Sequence, residues 1–155
     1  MKKITILKAL LAELENDLRR LQAANQDAAA GATHGESRAE TKWDTCGLEA
    51  SYLARGHAQQ FKALAADVCE LRAFTPPVYV GKPIGSGALI EVEQFGEKML
   101  FFLLPFGGGV EVVVEGREVT VITPESPVGA ALLDKKEGDE YSFRAGMVGK
   151  ILSVS

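Results

Sequence analysis

Pro124-Glu-Ser-Pro-Val-Gly-Ala-Ala-Leu-Leu133 decides how the second half of this 155-residue chain is read. Serine followed by proline is a helix start. The Ser126 hydroxyl can accept from a backbone N–H two or three positions on, and Pro127 lacks only a donor that the first turn leaves idle. Outward from this short helix the pattern changes to strand-like runs, at 88–93, 98–104, 110–114, 118–122, 140–143 and 148–154. Lys135-Lys-Glu-Gly-Asp139 turns the chain back toward the last two. The expected layout is α+β, a small antiparallel sheet wrapped on one short helix. Met99-Leu-Phe-Phe-Leu-Leu104 is apolar on both faces, which predicts a central strand covered on each side. Gly107-Gly-Gly109 follows a strand without the lysine and helix that a phosphate loop requires, and is read as a hairpin loop or bulge.

Before residue 75 the composition is different. Residues 1–74 hold 16 Ala, one Val and no Pro, whereas 75–155 hold 4 Ala, 12 Val and all 6 Pro. The first is helix-forming and the second suits strands and turns. Thr75-Pro-Pro77 marks the boundary, since no helix continues through it. The expected domains are therefore 1–74 and 75–155. Ile4, Leu7, Leu11, Leu14, Leu18 and Leu21 recur at alternating three- and four-residue steps, a heptad seam on a helix from about residue 4 to 30. A second helix is read over 44–74, where Phe61, Leu64, Val68 and Leu71 continue the spacing. Two rods of similar length with one connection predict an N-terminal antiparallel helical hairpin, a coiled coil whose apolar stripe is packing.

The connection, Gly31 to Trp43, is where the seam stops. Glu36, Glu40 and Asp44 fall at four-residue steps and would share a face if helical. Their oxygens suit Mg²⁺ but need ligands from elsewhere; the alternative is a solvated turn in which Arg38 and Lys42 pair with the acids. Trp43, unusual at a solvated tip, either packs back on the hairpin or meets a partner. His34 and His57 have no ligand-spaced companion. Cys46 and Cys69, without a CxxC, are read as two thiols on a helix rather than a disulfide framework or zinc ribbon. The net charge of −4 argues against strong independent DNA binding. A composition of 46% hydrophobic and 25% charged residues argues against a membrane span, Lys8 interrupts the apolar run that a secretory signal would need, and a cytoplasmic location is expected.

The stretch from Val121 to Ser155, with its Thr-Pro-Glu-Ser-Pro-Val-Gly-Ala-Ala-Leu-Leu run and two following strands, resembles the C-terminal, FKBP-like domain of the Gre transcript-cleavage factors. Those factors carry an N-terminal antiparallel coiled coil of similar length. His34-Gly-Glu-Ser-Arg-Ala-Glu40 resembles the family's His-Gly-Asp-x-x-Glu-Asn tip, with Trp43 at the family's tyrosine position. The resemblance implies a transcription elongation factor, not an enzyme in its own right, that binds bacterial RNA polymerase at its secondary channel. The factor would stimulate cleavage of backtracked nascent RNA and reach that RNA only within the polymerase. It implies docking through Glu125, Ser126 and Pro127, and tip acids that share a Mg²⁺ of the polymerase, the chain having no cofactor of its own. The family's first acid falls on Glu36. Its second falls on Ala39, with Glu40 one step further, a rotation of roughly 100° on a helix. Asp44 lies one turn beyond and suits a helix cap. Two alternatives stand beside this reading: a channel binder that modulates or inhibits polymerase without cleavage, and an FKBP-like prolyl isomerase or chaperone.

Overall fold

The computed structural model describes the backbone of residues 1–30 and 58–155, and the side chains of 1–24 and 59–155. Helix α1 (Lys3–Ala30) and helix α2 (Ala58–Ala73) precede six strands: β1 (Leu89–Gln94), β2 (Glu97–Leu103), β3 (Glu111–Val114), β4 (Arg117–Ile122), β5 (Glu140–Arg144) and β6 (Met147–Val154). The short helix α3 (Pro127–Leu132) lies between β4 and β5. The chain is thus α+β, with a long N-terminal helix and one mixed sheet. No helix among the described residues is long and apolar enough to cross a membrane.

Two compact units divide the chain: Leu11–Ala73, and Met1–Leu10 together with Phe74–Ser155. In the first, Leu18 of α1 packs with Phe61 and Ala65 of α2, flanked by Leu21 and Leu64. Glu15 receives a hydrogen bond from Arg72 at 2.5 Å. Val68 and Leu71 are buried, as their spacing predicts. Cys69 corrects the reading of two thiols, because it is disulfide-bonded. Whether two sulfurs approach within bonding distance is a matter of three-dimensional placement that sequence separation does not report.

The seam on α1 also differs at its start. Leu7, Leu14 and Leu18 are buried, but Ile4 is 52% exposed and Leu11 only half-buried, while Ile6 and Leu10 are buried. The first ten residues belong to the sheet-bearing unit. They bury the broader 3.6-residue stripe of a helix on a globular core in place of the narrow seam of a coiled coil. Lys3 belongs to the same unit: its Nζ donates to Pro77 O at 2.7 Å and Gly87 O at 2.8 Å and lies 5.1 Å from the Tyr79 ring centroid. Burial lowers its ammonium below the ordinary lysine range. Gly87, at φ +88°, has no room for a side chain, since a Cβ there would sit 2.6 Å from Pro77 Cδ. Lys3→Met keeps the aliphatic stem but removes both charged hydrogen bonds, and is expected to lower stability by about 1 to 2 kcal/mol in urea unfolding.

The sheet order is β3-β4-β2-β1-β6-β5. Strand β2 is central, and Leu100 through Leu104 are all buried, as the double-sided apolar run predicts. Phe102 sits between Leu89 of β1 and Val121 of β4. The expectation of an antiparallel sheet needs correction, because β2 and β4 are parallel. Its cause is the Gly107–Gly109 segment, which is not a hairpin joining neighbours. It carries the chain past one strand position, a step of ~10 Å, so that β4 returns between β3 and β2. Gly107 and Gly109 hold positive φ of 69° and 87° there, where a side chain is disfavoured. On the face covered by α3 the core joins Ile90, Val92, Phe101, Leu103, Ile122 and Ile151 to Leu132.

Candidate functional site at the start of α3

Glu125, Ser126 and Pro127 are brought together by a turn that ends β4. The Ser126 N–H donates to Thr123 O at 3.0 Å, closing the turn, and the Ser126 hydroxyl donates to that same carbonyl at 2.7 Å. Ser126 is the N-cap, with φ −68° and ψ 149°, and its Oγ accepts from Gly129 N at 3.0 Å. Pro127 occupies the first helical position. The hydroxyl is therefore occupied as donor and acceptor, and Ser126 acts by shaping the turn. Glu125 and Pro127 are exposed on either side of half-buried Ser126.

One residue of this site escaped the sequence reading. Gly129 is buried, and a Cβ built there would lie 1.9 Å from Thr123 O and 2.9 Å from Ser126 Oγ. The turn can close on the helix only because that position lacks a side chain. The available signal was a glycine at the third helical position, where helix propensity disfavours it by about 1 kcal/mol. Behind the helix, Leu132 enters the core with Val128 and Ala131 packed against it. The Tyr141 ring, 1% exposed, covers Gly149, whose Cβ would meet it at 2.5 Å. Tyr141 stacks on Phe143 at 6.4 Å, and burial raises its phenol above the ordinary tyrosine range.

The tip residues Glu36, Glu40, Trp43 and Asp44 lie outside the described residues. Among the described residues no group of three or more His, Cys, Asp or Glu is placed to hold a metal ion. Ser126→Ala is expected to cost about 1 kcal/mol, the usual value of a lost N-cap, measured as a shift of the urea midpoint.

Among the solved structures to which this chain is similar are three of Gfh1, called a transcription factor in one case and GreA factor homolog 1 in another. One aligns with 96% of this chain and 90% of its own at 19% identity and a TM-score of 0.39. Gfh1 of Thermus thermophilus covers 96% and 94% at 23% identity and a TM-score of 0.37. Gfh1 of Thermus aquaticus covers 95% and 94% at 23% identity and a TM-score of 0.38. No protein-family model and no curated protein matches the chain.

Proposed function

We propose that this chain is a Gre-like transcription elongation factor acting on bacterial RNA polymerase, an accessory factor rather than an enzyme. The observation that carries the reading is the α3 start. The Glu125-Ser126-Pro127 segment, at the position of the family's docking residues, holds Glu125 and Pro127 outward while Ser126 is consumed as their support. In this reading the sheet and α3 form an FKBP-like domain that docks at the rim of the secondary channel. Helices α1 and α2 form an antiparallel coiled-coil hairpin. The order of their contacts supports it, with Glu15 on Arg72 and the later Leu18 on the earlier Phe61 and Ala65.

At the far end of such a hairpin, Glu36 and Glu40 would enter the polymerase active centre, with Trp43 against the channel wall. Glu36 and Glu40 would be the oxygens of this chain that help hold the polymerase's Mg²⁺, which would supply Lewis-acid activation of an attacking water. The same carboxylates would position that water and accept its proton. The displacement of the second acid from 39 to 40 favours one second reading, a channel binder that modulates polymerase without cleavage. A prolyl-isomerase reading has less support, because Tyr141, Phe101, Phe102 and Phe106 are buried in the core. In this reading the protein works in the cytoplasm, where the polymerase is.

Adding the protein to a stalled, backtracked elongation complex tests this directly. Shortened RNA supports the cleavage reading, blocked extension without shortening supports the modulator, and no polymerase binding removes both. Pro127→Arg should weaken polymerase capture with an unchanged far-UV spectrum. Loss of fold and binding together would return the α3 start to a purely structural role.

A further inference from the structure

We infer that the free edge of β3 is a docking site for an extended basic segment of another protein, taken up as a seventh strand. The inference stands independently of the polymerase reading. Strands β3 and β4 are joined by a two-residue turn, Glu115-Gly116, with φ of 52° and 76°. In such hairpins the closing pair, here Val114 and Arg117, exchanges hydrogen bonds, and bonded and unbonded pairs alternate from there. The Val121 N–H donating to Val110 O at 2.8 Å keeps the same phase at the far end. Val112 and Val114 therefore bond inward, as does the Val110 carbonyl, while the Val110 N–H donates to Gly107 O at 3.2 Å; the N–H and C=O of Glu111 and Val113 point off the sheet.

The two edges of the sheet are not equivalent. Strand β5, at the opposite edge, has a register shift between Ser142 and Arg144 and is packed by α3, both of which blunt pairing. Strand β3 is regular, and Val113 at its centre is 69% exposed. Charge selects the occupant. Val113 faces Glu118 across the hairpin and Glu111 faces Thr120, so two carboxylates share the exposed face beside the edge. They line a groove of about 350 Å³ with Lys98, Met99 and Arg117. Arg117 is committed to Glu91 at 2.6 Å, whereas among the described residues Glu111 and Glu118 form no ion pair. With Arg117 neutralised by Glu91 of β1, Glu111, Glu115 and Glu118 against Lys98 leave the edge and its groove two charges negative.

A second copy of this chain is a poor fit. Antiparallel pairing of two β3 strands about Val113 would bring Glu111 of each copy beside the turn residue Glu115 of the other, and like charges brought that close are destabilising. A segment alternating lysine or arginine with valine or isoleucine satisfies both features. Its backbone would meet the exposed N–H and C=O groups, and its long cationic side chains would reach Glu111 and Glu118.

The test is a titration of the full-length ¹⁵N-labelled chain with an acetylated, amidated Lys-Val-Lys-Val-Lys peptide. Saturable shifts centred on the Glu111 and Val113 amides are expected, with slowed hydrogen exchange at both and a silent Glu-Val-Glu-Val-Glu counterpart. Val113→Pro removes an outward donor without touching the β3–β4 ladder and should abolish the response while the β4 amides keep their positions. Glu118→Lys, which leaves every backbone group in place, should weaken binding on the order of tenfold. Three results would overturn the inference: no shift up to the solubility limit, an equal response to Lys-Gly-Lys-Gly-Lys, or the same shifts on raising protein concentration without peptide, which would mean self-association.

Discussion

Gly129→Ala is expected to destabilise the protein by about 3 kcal/mol, the upper part of the range for overpacking a tight site. Helix propensity alone predicts the opposite sign, since alanine is favoured over glycine by about 1 kcal/mol inside a helix. The clash should win. A new Cβ would lie 1.9 Å from Thr123 O, a backbone atom already holding the Ser126 N–H and hydroxyl. It cannot retreat without releasing both bonds and the N-cap with them. Ala130→Gly, one position on and exposed, is the control and should cost no more than about 1 kcal/mol. Urea unfolding of the two variants checks the ranking. A stabilised Gly129→Ala protein would show that the turn relaxes freely and that the α3 start is not a rigid presenter of Glu125 and Pro127.

Under the cleavage role proposed above, Glu36→Ala should reduce cleavage stimulation on the order of 10²-fold, the scale on which a misplaced reacting group acts, with polymerase binding unchanged. Glu40→Ala should reduce it less, because its carboxylate starts one helical step from the family's position. The expectation that binding survives follows from placing docking on Glu125 and Pro127, so that a charge removed at the tip alters chemistry instead of affinity. Asp44→Ala should chiefly lower helix stability, by about 1 kcal/mol if it caps the second rod. Single-turnover cleavage in a backtracked complex, beside a binding titration, separates the outcomes. Equal losses of affinity and cleavage in Glu36→Ala would place the acid in docking.

Local rules made much of the architecture legible. All six strands lie within a residue or two of the runs read from alternation, and α3 begins at the Ser-Pro pair with the cap hydrogen bond that serine predicts. These features depend on neighbours in sequence: a period-two pattern, a donor three residues away, a proline at the first turn. The buried β2 was equally readable, since five consecutive apolar residues have no face left for water.

Position relative to distant chain was another matter. The parallel pairing of β2 with β4 arises because the Gly107–Gly109 segment skips a strand position, and one linear pattern serves a strand in either direction. The burial of Ile6 and Leu10 in place of Ile4 follows from Met1–Leu10 joining the sheet-bearing unit, which a heptad count cannot register. The disulfide at Cys69 and the absent side chain at Gly129 are likewise set by what comes near in space. Sequence by itself determined the elements and their caps, because hydrogen bonding and hydrophobic alternation act over a few residues. Tertiary structure alone decided which strands pair, which helix face is buried and where a Cβ does not fit, because those depend on surfaces that meet only after the chain has closed on itself.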